Sequence, residues 1–252
     1  MQPECQYTLA SLPWDSRHFE FPVAELRAER LANQQLQEAL LQARESGVRL
    51  VYWRCDPNVV VPDVILAEFS GRLVDRKLTF ESPVSPTAPA PASPPENPFS
   101  IAEHPRGDPG ARLIALAIAA GHLSRFRRDP WIPREKFEKL YELWIRRSTA
   151  HEIAKVVLVV SNGADEPGGM VTISLHGAVA QIGLIAVDEA CRGQGVGSIL
   201  MSAARRCMVD AGASRAVVVT QADNTSACRL YERHGYAASQ LEHYYHFWPG
   251  PG

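Results

Sequence analysis

The chain has 252 residues, of which 46% are hydrophobic and 21% charged, with a net charge of −2. Such a length supports one large core or two small ones, and a near-neutral balance with scattered Lys and Arg gives no pull toward nucleic acid or an anionic membrane. Its longest apolar run, Leu113 to Ala120, is far too short to cross a bilayer.

The Met-Gln-Pro-Glu-Cys-Gln start carries no basic segment followed by an apolar one, so no secretory signal is expected. Five cysteines without a Cys-x-x-Cys spacing imply free thiols and a cytoplasmic protein. Leu31 to Glu45 places Leu36, Ala39, Leu40 and Ala43 on one helical face, with Gly47 as its C-terminal cap. Arg49 to Cys55 reads as a strand and Val59 to Ser70 as a helix that tolerates Pro62 near its start. Arg72 to Phe80 alternates as a strand, with Asp75 sharing a face with Leu73, Lys77 and Thr79; a solvated face is the ordinary reading of such a carboxylate.

Ser82 to Pro98 is dominated by proline, alanine and serine and reads as a semi-rigid linker. It divides the chain into an αβ domain at 1–81, a linker at 82–110 and a second domain at 111–252. Beyond it, Arg112 to Leu123 and Arg134 to Thr149 have helical periodicity, the second with Pro133 before it and a stripe of Phe137, Leu140, Tyr141, Trp144 and Ile145. Lys155 to Val160 and Met170 to Leu175 form a hairpin around the turn-rich Asn162 to Gly169.

Gln181 to Val187 has the β-branched, apolar composition of a buried strand. Then comes Arg192-Gly-Gln-Gly-Val-Gly197, followed by helical spacing from Ser198 to Val209. A turn that bares successive backbone N–H groups and opens a helix is an anion site. Glycines at alternate positions let phosphate oxygens approach the main chain, so a diphosphate ligand is expected. No Gly-Lys-Ser/Thr follows, which excludes a Walker loop. The next strand, Arg215 to Gln221, ends without the carboxylate that a dinucleotide fingerprint requires. Cys191, beside the loop, reads as a small space-filler. Asn224, a short helix bearing Tyr231, Gly235-Tyr236 and an aromatic-rich Tyr236 to Trp248 of one or two strands complete the chain.

The pattern Arg192-x-x-Gly195-x-Gly197, with Asn224, Tyr231 and Gly235-Tyr236 in order behind it, resembles the coenzyme A motif of the GNAT superfamily of N-acetyltransferases. The likeness covers about residues 110 to 248. It implies an α/β fold of α+β type, with a central, mixed, mostly antiparallel twisted sheet flanked by helices and a smaller N-terminal αβ domain. It also implies acetyl-CoA as co-substrate and no metal. The pyrophosphate would meet the main chain of Arg192, Gly193, Gln194, Gly195, Val196, Gly197 and Ser198. The strand of Leu184, Ile185, Ala186 and Val187 would splay and offer an N–H to the acetyl carbonyl. Asn224 would contact the pantetheine arm or cap its helix, and Tyr231 would be the general acid or anchor that helix.

Trp14 to Phe19, Gly71 to Asp75, Ser124 to Trp131 and Leu140 to Ile145 resemble, in the same order, the TDP-fucosamine acetyltransferase family. That likeness implies acetylation of the amine of a dTDP-4-amino-4,6-dideoxyhexose during polysaccharide assembly, by a homodimer that uses neither nucleic acid nor membrane. Asp75 stands where that family carries a glutamate and becomes the candidate base. His122, His151, His176, His234, His243 and His246 are alternatives without supporting spacing. Arg125 is the candidate substrate contact, because a guanidinium fork suits phosphate oxygens; Arg127 and Arg128 read as helix-end charges. Another acceptor amine (an antibiotic, a polyamine or a protein N-terminus) and a non-catalytic acyl-CoA sensor are the rival readings.

Overall fold

The structure, a computed structural model, describes residues 7–85, 98–162 and 166–250. Along the chain run β1 (Thr8–Ser11), α1 (Pro13–Phe19), β2 (Val23–Arg27), α2 (Asn33–Glu45), β3 (Leu50–Cys55), α3 (Asp63–Glu68) and β4 (Arg72–Pro83). They are followed by β5 (Phe99–Glu103), α4 (Gly110–Ala120), α5 (Arg125–Arg128), α6 (Arg134–Thr149), β6 (Val156–Asn162), β7 (Glu166–His176) and β8 (Val179–Val187). The chain ends in α7 (Val196–Asp210), β9 (Arg215–Gln221), α8 (Thr225–Arg233) and β10 (Ala237–Phe247).

Local signals place these elements. Gln35 Oε1 accepts the Ala32 N–H at 3.0 Å to open α2, and Gly47 leaves the same helix with φ of 72°, a left-handed turn that glycine makes without strain. Leu36, Ala39, Leu40 and Ala43 are the buried face of α2, as their spacing predicts. Pro62 and Pro133 precede α3 and α6 and lend their carbonyls to the first helical turns.

The chain divides into two compact units: Met1–Lys77, Ser124–Phe137 and Leu241–Gly252 form one, and Leu78–Leu123 with Glu138–Gln240 the other. The division does not follow the linear boundaries at 81 and 110. Pro83 still belongs to β4, and Phe99–Glu103, expected in the linker, is a strand because it pairs antiparallel with β6. Residues 86–97 of the expected linker and 163–165 of the expected hairpin loop lie outside the described residues.

In unit 1 the strand order is β1-β2-β3-β10, with β2 parallel to β3 and the other two pairings antiparallel. One core packs Leu36, Leu40, Trp53, Phe69 and Phe247 together, and a second packs Phe19, Val23, Leu50, Tyr52 and Ile132. In unit 2 the order is β9-β8-β7-β6-β5, antiparallel except for β8 with β9. Its core joins the β6–β9 side chains to Val196, Leu200, Met201, Met208 and Tyr231. Pro167, Gly168 and Gly169, read from sequence as turn formers, belong to β7.

Candidate active site

The site of unit 2 is built on a fork. β8 pairs with β7 from end to end but with β9 only from Val179 to Ile182. At the parting, the β7 register shifts between Val171 and Ile173, and Thr172 Oγ1 accepts the displaced Leu184 N–H at 2.8 Å. Main-chain groups alternate sides along a strand. Leu184 faces β7 through Thr172, and Asp188 does so through Gly168 O at 2.8 Å. The N–H groups of Ile185 and Val187 therefore point to the side that β9 has left.

The chain then turns through the glycine loop. Asp188 caps a short 3-10 turn by accepting from Ala190 N, and pairs with Arg112 at 2.6 Å. Gly193 and Gly195 have φ of 75° and 82°, and Gly195 is the N-cap of α7. The Ser198 and Ile199 N–H groups both return to Gly195 O. Ser198 is therefore already satisfied, and the bared array runs from Gly193 to Gly197. Among the described residues, no backbone hydrogen bond outside helices and strands uses those N–H groups. Gln194 Nε2 ties the loop to Ala190 O at 2.7 Å, while the Arg192 guanidinium makes an exposed pair with Glu189 at 3.3 Å.

Close packing explains the remaining glycines. A Cβ on Gly169 would meet Val196 Cγ1 at 2.9 Å and Leu200 Cδ1 at 3.1 Å, and one on Gly168 would meet Cys191 Sγ at 2.8 Å. The loop and the first turn of α7 thus rest directly on β7, with Cys191 buried as filler. A Cβ on Gly197 would stand 3.3 Å from Leu230 Cδ2, so α8 is close to the start of α7.

Asn224 caps α8: its Oδ1 accepts from Ala227 N and Ser226 Oγ, and its Nδ2 donates to Thr220 Oγ1. One Nδ2 hydrogen is left for a ligand. Tyr231, seven residues on, is only 2% exposed and packs edge-on to Phe80 at 5.6 Å and beside Tyr236 at 6.2 Å. Burial holds its phenol well above the usual range, so it stays protonated at neutral pH.

The other two candidates belong to unit 1. Asp75 is 7% exposed rather than solvated. Lys77, two residues on, bonds Glu242 at 3.0 Å, and alternation puts Asp75 on that same face of β4. Arg125, in α5, lies over the rings of Tyr52, Phe126 and Tyr244 at 4.4, 4.6 and 4.8 Å. Sequence reasoning offered His246 only as one of six alternative bases without supporting spacing. It is buried, and its Nδ1 lies 2.6 Å from Asp129 Oδ2. No spacing announces that pair, since its members are 117 residues apart.

Residues 120–236 match the model of the Acetyltransferase (GNAT) family, whose acyl donor is acetyl-CoA. The chain carries a GNAT acetyltransferase domain. Spore coat polysaccharide biosynthesis protein SpsD of Bacillus subtilis (strain 168) is 28% identical over 60% of this chain and 52% of its own length. The dTDP-fucosamine acetyltransferase of Escherichia coli O6:H1 is 31% identical over 49% of this chain and 52% of its own. The chain thus spans about half the length of the curated relatives it matches. The solved GCN5-related N-acetyltransferase from Sphaerobacter thermophilus superposes with a TM-score of 0.59 at 16% identity, covering 97% of this chain and 77% of that one. That likeness concerns the fold.

Proposed function

We propose that the protein is an N-acetyltransferase that moves an acetyl group from acetyl-CoA to the amine of a dTDP-4-amino-4,6-dideoxyhexose by direct attack in a ternary complex. The observation that carries this reading is the β8/β9 fork leading into a Gly195-capped helix. Together they offer a diphosphate array and the parting at Gly183 and Leu184, which begins about 13 Å back along β8 from its end at Val187 at ~3.3 Å per residue. Acetyl-CoA supplies the activated thioester. The N–H groups of Gly193 to Gly197 hold its diphosphate and turn the encounter into a positioned reaction. The Ile185 and Val187 N–H groups face the opened side of β8, where one oriented donor to a developing oxyanion contributes about 3 kcal/mol. Tyr231 is the donor to the departing thiolate, and Asp75 takes the amine proton through water. The C–N bond forms as the C–S bond breaks.

The name of the dTDP-fucosamine acetyltransferase supports an amino-sugar acceptor, that of SpsD supports a place in polysaccharide biosynthesis, and the described cysteines, all free, fit a reducing cytoplasm. The test is thiol release from acetyl-CoA with a panel of nucleotide-linked amino sugars, polyamines and peptides. Turnover confined to the dTDP-amino sugars is expected, and turnover on polyamines or peptides alone would overturn the substrate. Acetyl-CoA binding without turnover on any amine would make the protein a sensor. Asp75→Asn should flatten the acidic limb of the pH–rate profile; an unmoved profile removes Asp75 as base.

A further inference from the structure

The rings around Arg125 form a built environment inside unit 1. Tyr52 of β3 and His246 of β10 are register partners, so their side chains share one face of the sheet, with Tyr244 two residues along. Three nearby acids, Asp15, Glu242 and Asp129, are already engaged. Asp15 Oδ1 accepts the Tyr52 hydroxyl at 3.3 Å, and Glu242 pairs with Arg54 at 3.1 Å and Lys77 at 3.0 Å. Asp129 accepts from Trp131 N, Trp248 Nε1 and His246 Nδ1. Among the described residues Arg125 has no ion-pair partner. Arg125 is half-buried with its guanidinium carbon over three aromatic rings, and a guanidinium so placed still has a planar fork of N–H donors to offer an oxyanion.

Beneath the cage lies a polar stack. His246 is 1% exposed, lies 4.7 Å from the Tyr52 ring at an interplanar angle of 29°, and donates from Nδ1 to Asp129. Its Nε2 is buried without a hydrogen-bond partner among the described residues. Filling the core alone would favour a phenylalanine there, because a buried unsatisfied nitrogen is costly. A neutral imidazole does what a phenylalanine cannot. Anchored by Asp129, it fixes the plane of Tyr52, and with it one wall around Arg125, without adding a second cation.

We propose that Arg125 is a preorganised receptor for the diphosphate of the acceptor substrate and that His246, held by Asp129, is its positioning residue, acting through Tyr52. This inference rests on the reading that the acceptor is a nucleotide-linked sugar. Phosphate oxygens supply the counter-charge that the surrounding carboxylates withhold, and the rings hold the fork still before binding.

Calorimetry on the whole chain with dTDP, inorganic pyrophosphate and thymidine tests it. The first two bind and thymidine does not. Arg125→Lys, which keeps the charge and loses the planar fork, weakens both anions at least tenfold while acetyl-CoA affinity stays within twofold. His246→Asn keeps a donor toward Asp129 but loses the ring; it weakens the anions three- to tenfold and raises the acceptor KM with kcat retained. Should that variant also lose acetyl-CoA binding, Tyr52→Leu decides, since it removes the ring between His246 and Arg125 and leaves Asp129 paired. Unchanged anion affinity in Arg125→Lys or Tyr52→Leu overturns the proposal. Anion binding as expected with no acetylation of any dTDP-amino sugar would sink the substrate reading and leave the receptor standing. Turnover untouched by Arg125→Lys would do the reverse.

Discussion

Tyr231 shows how one side chain serves packing and chemistry together. Its ring is part of the unit 2 core, against Phe80 and Tyr236. Burial raises its phenol above the ordinary value of about 10. The sign has two consequences. The acid form persists at every working pH, so kcat should show no falling limb from Tyr231 below pH 10. Donation to a thiolate is also uphill unless the two are in direct contact, which makes position decisive. Tyr231→Phe keeps the ring and removes only the hydroxyl. It should leave acetyl-CoA affinity unchanged and lower kcat at least tenfold, measured by thiol release; an unchanged kcat would leave Tyr231 a core residue alone. The Asn224–Tyr231 spacing was legible in the sequence, whereas the burial of Tyr231 and Asp75 was not. Alternation says which residues share a face, but not what covers that face.

At the scale of elements, the glycine loop depends on backbone conformation more than on side chains. Gly195 caps α7 at φ of 82°, a conformation that costs an L-residue roughly 1–2 kcal/mol. A carboxylate there would also repel a diphosphate. Gly195→Glu should therefore raise the acetyl-CoA Kd at least tenfold, or about 1.4 kcal/mol, by calorimetry; an unaltered Kd would place the diphosphate elsewhere. The loop and its helix were readable because a strand, a glycine run and an amphipathic helix are local patterns. The fork was not, because Gln181 to Val187 is uniformly apolar and only its partner reveals where pairing stops. Gly168 and Gly169 misled for a similar reason. They lack side chains because Cys191, Val196 and Leu200 stand over β7, a contact across 23 residues or more that mimics turn composition.

At the scale of the whole molecule, unit 1 draws its residues from three separate stretches of chain, and the Asp129–His246 pair joins two of them. Burial, outweighing the hydrogen bond that His246 donates to Asp129, pushes His246 down to about 4 from 6.5. A base with a depressed folded pKa contributes stability in full above its unfolded value and loses it as pH falls from 6.5 toward 4, here at most about 3 kcal/mol. The urea midpoint of unit 1, followed by tryptophan fluorescence, should fall between pH 7 and 4.5, and His246→Asn should reduce that slope. Equal slopes would mean that the imidazole is not buried neutral.

The phosphate loop, α2 with its buried face, α6, β9 and the GNAT class were all determined by sequence, since each rests on neighbours within a few turns or strand steps. Tertiary structure decided the strand at Phe99–Glu103, the parting of β8 from β9, which separate stretches of chain make up each unit, and the partners of Arg125. Those features depend on groups far apart in the chain, and a hydrogen bond or a ring stack between distant segments leaves no period in either one.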